Sequence, residues 1–268
     1  MVKSKQPARQ HGHDFSELVV VTGGDGIHCT GNHRYTISAG DVFVINGNRS
    51  HGYEEGRDLE YVDILFDLER LHVPLLDLRN VPGFHALFTF EPVLRNRGRF
   101  RSRLQLNPTE LDNVCGMIDR LEAEIGERSP GWKFATCVTF MRLLSYLCRR
   151  YTEIPSKEPH QPMRLGAVVS YMQEHYAEPI ALEDLTEMAS MSRSTMLRAF
   201  KLAFGRSPIE YLIRLRVDKA ADLLKSGVVP VSEIALAVGF QDSNYFSRQF
   251  RKVTSLSPRA YRKKALRE

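Results

Sequence analysis

The chain has 268 residues, 43% of them hydrophobic and 26% charged, and 37 Lys+Arg against 32 Asp+Glu leave it a formal net charge of +5. Those proportions are those of an ordinary globular protein, with length enough for two separate cores. Cys29, Cys115, Cys137 and Cys148 show no C-x-x-C spacing, which argues against a disulfide framework or a structural zinc cluster, and no run of 18 apolar residues suggests a membrane span. The opening MVKSKQPARQHGHD lacks the apolar stretch of a secretory signal, so a cytoplasmic location is expected.

From residue 11 to 67 the text is strand-like. LVVV, YTI, DVFVI and YVDILF are set apart by GGDG, TGN, SAG, NGN and EEGR. Short strands at even turn spacing predict a sandwich or small barrel. Residues 68–107 carry a weaker pattern, and VLRNRGRFRSRLQL reads as a last strand and arm. Its alternating arginines, Arg95 to Arg103, fit either a wet strand face or an arm closing over a pocket.

Between Pro108 and Tyr151 the period becomes helical. Leu111, Val114, Ile118, Leu121 and Ile125 form one stripe, with Asn107 and Glu110 as a capping pair around Pro108. Phe134, Val138, Met141, Leu144, Leu147 and Cys148 form another after the ERSPG turn. The surplus apolar surface either caps the barrel or pairs with a second chain in a homodimer. Then TEIPSKEPHQP, residues 152–162, holds three prolines and no periodicity, as an interdomain linker does. The expected layout is therefore an effector-binding domain over 1–107, a helical hairpin over 108–151, the linker, and a DNA-binding domain over 163–268.

That last segment is basic and repetitive. Residues 163–268 carry a net charge of +6 and the remainder −1, so the whole basic excess sits in one part, as a polyanion binder requires. Two stretches, LEDLTEMASMSRSTMLRAFKLAFGRSPIEYLIRLR from Leu182 and VSEIALAVGFQDSNYFSRQFRKVTSLSPRAYRKK from Val231, can be laid over each other. Arg198 and Arg248, Phe200 and Phe250, and Tyr211 and Tyr261 repeat at an offset of 50; upstream the register slips by one, pairing Ala189 with Val238. Each copy predicts a short helix, a tight turn and a second helix capped by Ser192 or Asp242. That is a helix-turn-helix, whose second helix can enter a major groove.

In the second helices Met196, Phe200 and Phe204, then Phe246, Phe250 and Val253, face inward. The opposite faces offer Arg193, Ser194, Thr195, Leu197, Arg198 and Lys201, then Ser243, Asn244, Ser247, Arg248, Arg251 and Lys252. Arg198 and Arg248 suit bidentate contacts to guanine, and Asn244 to adenine. A bland alternative makes them solvated helix faces, but two aligned copies with a basic excess weigh against it.

At these residues a resemblance emerges. SRSTMLRAFK, GRSPIEYLIRLRVDKAADLL and IALAVGFQDSNYFSRQFRKVTSLSPRAYR resemble the AraC/XylS family of transcription regulators. The resemblance implies two helix-turn-helix units that bind double-stranded promoter DNA and recruit or exclude RNA polymerase. It carries base-contact roles onto Ser194, Leu197, Arg198, Ser243, Asn244, Ser247 and Arg248. Upstream, HGHDFSE and GDVFVINGNRSH resemble the two motifs of the cupin barrel, and His11, His13, Glu17 and His51 stand where cupins hold a metal. Three readings stay open for them: effector contacts, ligands of a divalent ion, or structural histidines. Within the family, HGHDFSELVVVTGGDGIHCTGNHRYTISAGDVFVI resembles rhamnose-responsive activators. That likeness implies a sugar effector, with His11, His13, Glu17, Arg34, Tyr35 and His51 as its candidate partners.

The expected molecule has two domains: an N-terminal all-β cupin-like barrel with two helices, and a C-terminal all-α double helix-turn-helix. Its expected role is that of a sugar-controlled activator, not an enzyme, with no cofactor required. One rival is a metal-dependent cupin enzyme, an isomerase or dioxygenase, fused to a DNA-binding module. Another is a repair regulator that accepts alkyl groups on cysteine, though every cysteine here precedes residue 150.

Overall fold

The structure, a computed structural model, describes residues 2–4, 11–47, 50–71, 74–95, 104–153, 160–227 and 229–266. Most of the proline-bearing linker and the arginine-rich stretch 96–103 lie outside the described residues. The chain divides into two compact units, Met1–Gly166 and Ala167–Glu268.

The first unit is built on an antiparallel sheet of β1 (Val2–Ser4), β2 (Ser16–Thr30), β3 (His33–Ser38), β4 (Asp41–Ile45), β5 (His51–Phe66) and β6 (Leu104–Gln105). The order is β1-β5-β2-β4-β6, with β3 paired to β2. The GGDG and EEGR stretches, expected as turns, lie inside β2 and β5, which pair along nearly their whole length. They oppose each other as bulges: the register shifts between Val21 and Ile27, and Gly24 (φ 66°) lies against Asp58 (φ 50°). A Cβ on Gly24 would stand 2.2 Å from the Asp58 carbonyl oxygen, so only glycine fits. Bulges bend and twist long strands, which lets the sheet curl.

Alternation sorts the two faces. Leu18, Val20, Val42, Val44, Val62 and Ile64 point to the helices. Val19, Val21, Phe43, Ile45, Tyr53 and Tyr61 point to the inside of the curl and form a second cluster.

Residues 68–95, whose sequence pattern is weak, are mainly helical; of the strand and arm expected over 93–106, residues 93–95 are helical, 104–105 form β6, and 96–103 lie outside the described residues. After α1 (Leu68–Leu71) and a 3-10 turn (Leu76–Asn80) comes a continuous run: α2 (Pro82–His85), a π-helical turn (Ala86–Phe90) and α3 (Glu91–Arg95). Phe84, Ala86, Leu87, Phe88, Phe90 and Leu94 are all buried, so the run lacks the polar face from which a helical period is read. Next come α4 (Pro108–Glu127), whose Asn107 and Glu110 close a reciprocal capping box, and α5 (Trp132–Thr152). The buried face of α5 is Phe140, Leu143, Leu144, Leu147, Cys148 and Tyr151. Phe134 and Val138, expected in the apolar stripe, are 76% and 48% exposed.

The second unit is helical. α6 (Gln161–Glu174), within which the division falls, is followed by α7 (Leu182–Met188), α8 (Arg193–Phe204), α9 (Pro208–Lys225), α10 (Val231–Ala237), α11 (Ser243–Thr254) and α12 (Pro258–Ala265). Leu185, Met196, Phe200 and Leu212 are buried under the first helix-turn-helix. Ile234, Val238, Phe246 and Phe250 pack with Val217, Ala220 and Leu224 under the second. Among the described residues no helix is long and apolar enough to cross a membrane.

Candidate functional site

Two places concentrate chemistry, one in each unit. In the first unit Glu17 opens β2 on the inner face, two residues before Val19. His11 is held beside β5 by a pair of backbone hydrogen bonds with His51, each 2.9 Å. His13, ahead of β2, stacks on Phe15 at 4.2 Å between ring centroids. The result is that His11, His13, Glu17 and His51 each offer a ligand atom within 4.8 Å of the others. Glu17 Oε1 is 3.0 Å from His13 Nε2, and Glu17 Oε2 is 3.0 Å from His51 Nε2.

The tautomer of His13 follows from its neighbours. Its Nδ1 is 2.7 Å from the Phe15 carbonyl oxygen, which only accepts, so Nδ1 carries a proton and donates. Nε2, on the far side of the ring, is left to face the Glu17 carboxylate. Burial alone would raise the Glu17 carboxyl, but His51, His13 and His11 more than offset that and hold it below the usual carboxylate range. On the same face, burial and the Glu17 charge push Asp63 up to about 7. Burial likewise pushes the Tyr53 phenol well above its ordinary value. His28 is buried on β2, with its ring 5.4 Å from that of Tyr53.

Arg34 and Tyr35 sit apart from the histidine cluster. Neighbouring positions on β3 point to opposite faces, and Arg34 is exposed, paired with Glu54. Tyr35 donates its hydroxyl hydrogen to the carbonyl oxygen of Arg95. Arg95 is itself buried, bonded to the buried Glu91, with its guanidinium 4.2 Å from the centre of the Phe43 ring. Sequence reading missed Asp63, Tyr53, His28, Glu91 and Arg95. Alternation along β5 sets Asp63 and Tyr53 on the face of Tyr61, but the bulge in β2 reverses the face on which His28 falls, and nothing local to the chain marks any of the three as part of a site.

In the second unit the local capping aims two helices outward. Ser192 Oγ accepts from the Thr195 amide, and Asp242 Oδ1 accepts from the amides of Asn244 and Tyr245 at 2.6 and 2.8 Å. These amides hold Asp242 below the usual carboxylate range. Each helix thus starts at a fixed point with its first residues in solvent. Arg193, Ser194, Arg198 and Lys201 on α8 are exposed, as are Ser243, Asn244, Arg248, Arg251 and Lys252 on α11. Thr195, Leu197 and Ser247 are half-buried.

Local bonds divide these residues. Arg193 Nη1 is 3.9 Å from Glu183, Lys201 donates to the Gly205 carbonyl, and Ser247 donates to the Ser243 carbonyl. Arg198 makes no salt bridge among the described residues, and neither does Arg248, which lies 5.9 Å from the Tyr245 ring and acts on Asp242 through its charge alone. These two arginines reach solvent with their forked donors uncommitted to any carboxylate, as direct readout of guanine needs.

Comparison with known proteins finds a family model over part of each unit. An "AraC-like ligand binding domain" model matches residues 5–125, and a "Helix-turn-helix domain" model matches 185–264. The chain is 32% identical over 256 residues to the HTH-type transcriptional activator RhaS of Enterobacter sp. (strain 638), covering 94% of this chain and 87% of that protein. It is also 32% identical over 257 residues to RhaS of Escherichia fergusonii, with the same coverage. An AraC-type regulator structure from Chromobacterium violaceum is 30% identical, covering 38% of this chain and 92% of that one, with a TM-score of 0.36. The DNA-binding domain of AdpA, solved with target DNA, is 36% identical over 38% of this chain and 91% of that one, also at 0.36.

Proposed function

The chain belongs to the AraC/XylS family of transcription regulators, and from that premise we propose that it is an activator switched by a small sugar, L-rhamnose first among the candidates. The observation that carries the sugar reading is the inner face of the curled sheet. The buried carboxyl of Glu17, the half-buried one of Asp63, imidazoles at His13 and His51 and the phenol of Tyr53 give acceptors and donors beside aromatic rings. Hydroxyl groups in a ring need that mixture, and it is unneeded in a plain hydrophobic core. The relatives named RhaS, at about 30% identity, lend support to this class of effector.

In this reading α8 and α11 enter successive major grooves of promoter DNA in the cytoplasm. Arg193, Ser194, Thr195, Leu197, Arg198, Lys201, Ser243, Asn244, Ser247, Arg248 and Lys252 line the contact. Arg198 and Arg248 read bases, while Arg193 and Lys201, each with a local partner, hold phosphate. RNA polymerase is the partner that the bound activator recruits. Two copies act together through α4 and α5, where Ile125, Phe134 and Val138 expose apolar surface beside a cavity of about 110 Å³ lined by Leu65, Leu71 and Phe140.

One observation favours a second occupant of the sheet domain. The fixed tautomer of His13 and the donor set His11, His13, Glu17 and His51 match the nitrogen and oxygen chemistry of a divalent ion such as zinc. The bond from His13 Nδ1 to a carbonyl is the support such a ligand commonly has. A bound ion would present a positive centre to the hydroxyls of the effector.

Thermal melting of the full-length protein against a panel of monosaccharides, with and without zinc, tests both readings. A sugar at 100 times its dissociation constant adds about 2.7 kcal/mol to native stability, which raises the midpoint visibly. A rise with rhamnose or another sugar supports the effector reading, and a rise with zinc alone favours the ion. No response to any sugar sinks the sugar reading and leaves DNA binding untouched.

A further inference from the structure

Glu91 and Arg95 form a buried ion pair that neither DNA binding nor the histidine cluster uses. Both come from the helical run 82–95, not from a strand, yet they belong to the inside of the curl. Arg95 stacks over Phe43, which packs with Val19, Tyr53 and Tyr61, and its charge acts on the Tyr53 phenol. Tyr35, from β3, fastens the Arg95 carbonyl. Arg95 is the only buried arginine among the described residues. The polar interior therefore runs from Glu17 through Asp63 and Tyr53 to a cationic end at Arg95.

Such a pair gives little net stability, since desolvating both charges offsets most of their attraction. A guanidinium beside a carboxylate over an aromatic face is, however, well matched to vicinal hydroxyls, with one group donating and the other accepting. The other end of the run is clamped. The Gly83 amide donates to Thr152 Oγ1 at 3.1 Å, and a Cβ on Gly83 would fall 2.0 Å from the Cys148 carbonyl oxygen. A Cβ on Gly166 would fall 2.3 Å from the Pro82 carbonyl oxygen. The run that carries Arg95 is thus packed closely against the last turn of α5 and the start of α6.

We propose that Arg95 is an effector-reading residue: the hydroxyls of a bound sugar compete with Glu91 for its guanidinium, and the shift of the 82–95 run is what the rest of the protein senses. This rests on the reading of the sheet domain as a sugar receptor. The ligand class is a neutral polyol with at least two adjacent hydroxyls.

Titration calorimetry of the full-length protein with L-rhamnose, or with whichever panel sugar the wild type binds, tests it on two variants of opposite sign. Arg95→Lys keeps the charge but loses the fork, and should weaken binding roughly 10-fold or more. Glu91→Gln removes the competitor's charge and should tighten binding by about 3-fold or more. Circular dichroism melting reports whether each variant is folded. Wild-type affinity in both variants overturns the proposal, and so does equal weakening in both, which is what a merely structural pair would show. If Arg95→Lys fails to fold, Glu91→Gln decides alone, since unchanged or weaker binding overturns the inference. A wild type that binds no sugar fails differently: it removes the receptor reading, and this inference with it.

Discussion

Ser255 ends α11 with φ 65°, and Gly205 ends α8 with φ 71°, exactly one repeat length earlier. The same alternation holds in the turns, where Ser190 (φ 47°) in the first unit answers Gly239 (φ 89°) in the second. Each unit therefore needs two left-handed residues and has glycine at only one of them. A left-handed L-residue costs about 1–2 kcal/mol, while glycine forfeits part of that through a freer unfolded chain. Ser255→Gly should accordingly raise stability by roughly 0.5 kcal/mol in urea unfolding. Gly239→Ala should do the opposite, because its Cβ would stand 2.7 Å from the Ala177 carbonyl oxygen. A destabilised Ser255→Gly would mean that the serine side chain does something that the backbone argument misses. The caps Ser192 and Asp242 and the tight turns before them were legible in the sequence because such features are decided within four or five residues of chain. Asp63 and Arg95 were not, since what makes them notable is burial by segments far away.

The helical run 82–95 shows the same limit at the next scale. Its residues are buried all round, so no period betrayed it, and the arginines after it suggested a strand. The bulged strands misled in the converse way: GGDG and EEGR look like turns alone and become bulges only because they pair with each other. Within the run, His85 is buried and its Nε2–H donates to the Arg79 carbonyl, with Thr89 near Nδ1. Burial lowers its pKa from 6.5 to about 4, so the folded protein keeps it neutral over a range where the unfolded chain takes up a proton. The stability it contributes is present above pH 6.5 and is lost as pH falls toward 4, on the order of 3 kcal/mol in all. His85→Gln retains a donor for Arg79 without that titration. Urea midpoints of the variant should fall less steeply than those of the wild type between pH 6.5 and 4.5. Parallel slopes would show that His85 is not the group responsible.

At the scale of the whole chain, charge and repetition set the division of labour. The unit with the two helix-turn-helix motifs carries the net positive charge, while the sheet unit buries a small set of ionisable groups, Glu17, His51, Glu91 and Arg95 among them, in opposed pairs. α9 joins the two motifs with 18 helical residues, a span of about 27 Å, which suits adjacent grooves on one face of a duplex. Arg198 and Arg248 occupy the same place in the two motifs, so their effects on DNA should be alike in kind and separated in space. Arg198→Ala and Arg248→Ala should each relax preference at a different base pair and cost roughly 1–3 kcal/mol on the best site, with the two positions about 10 bp apart. Lys263→Ala, an exposed α12 residue, should weaken every sequence equally and reduce the salt slope by about one. Selection of binding sites from a random DNA pool with each variant measures all three. Relaxation at one shared base pair would mean that a single groove is read. Uniform weakening by all three variants would mean that neither arginine reads a base, and that specificity rests on the shape of the duplex.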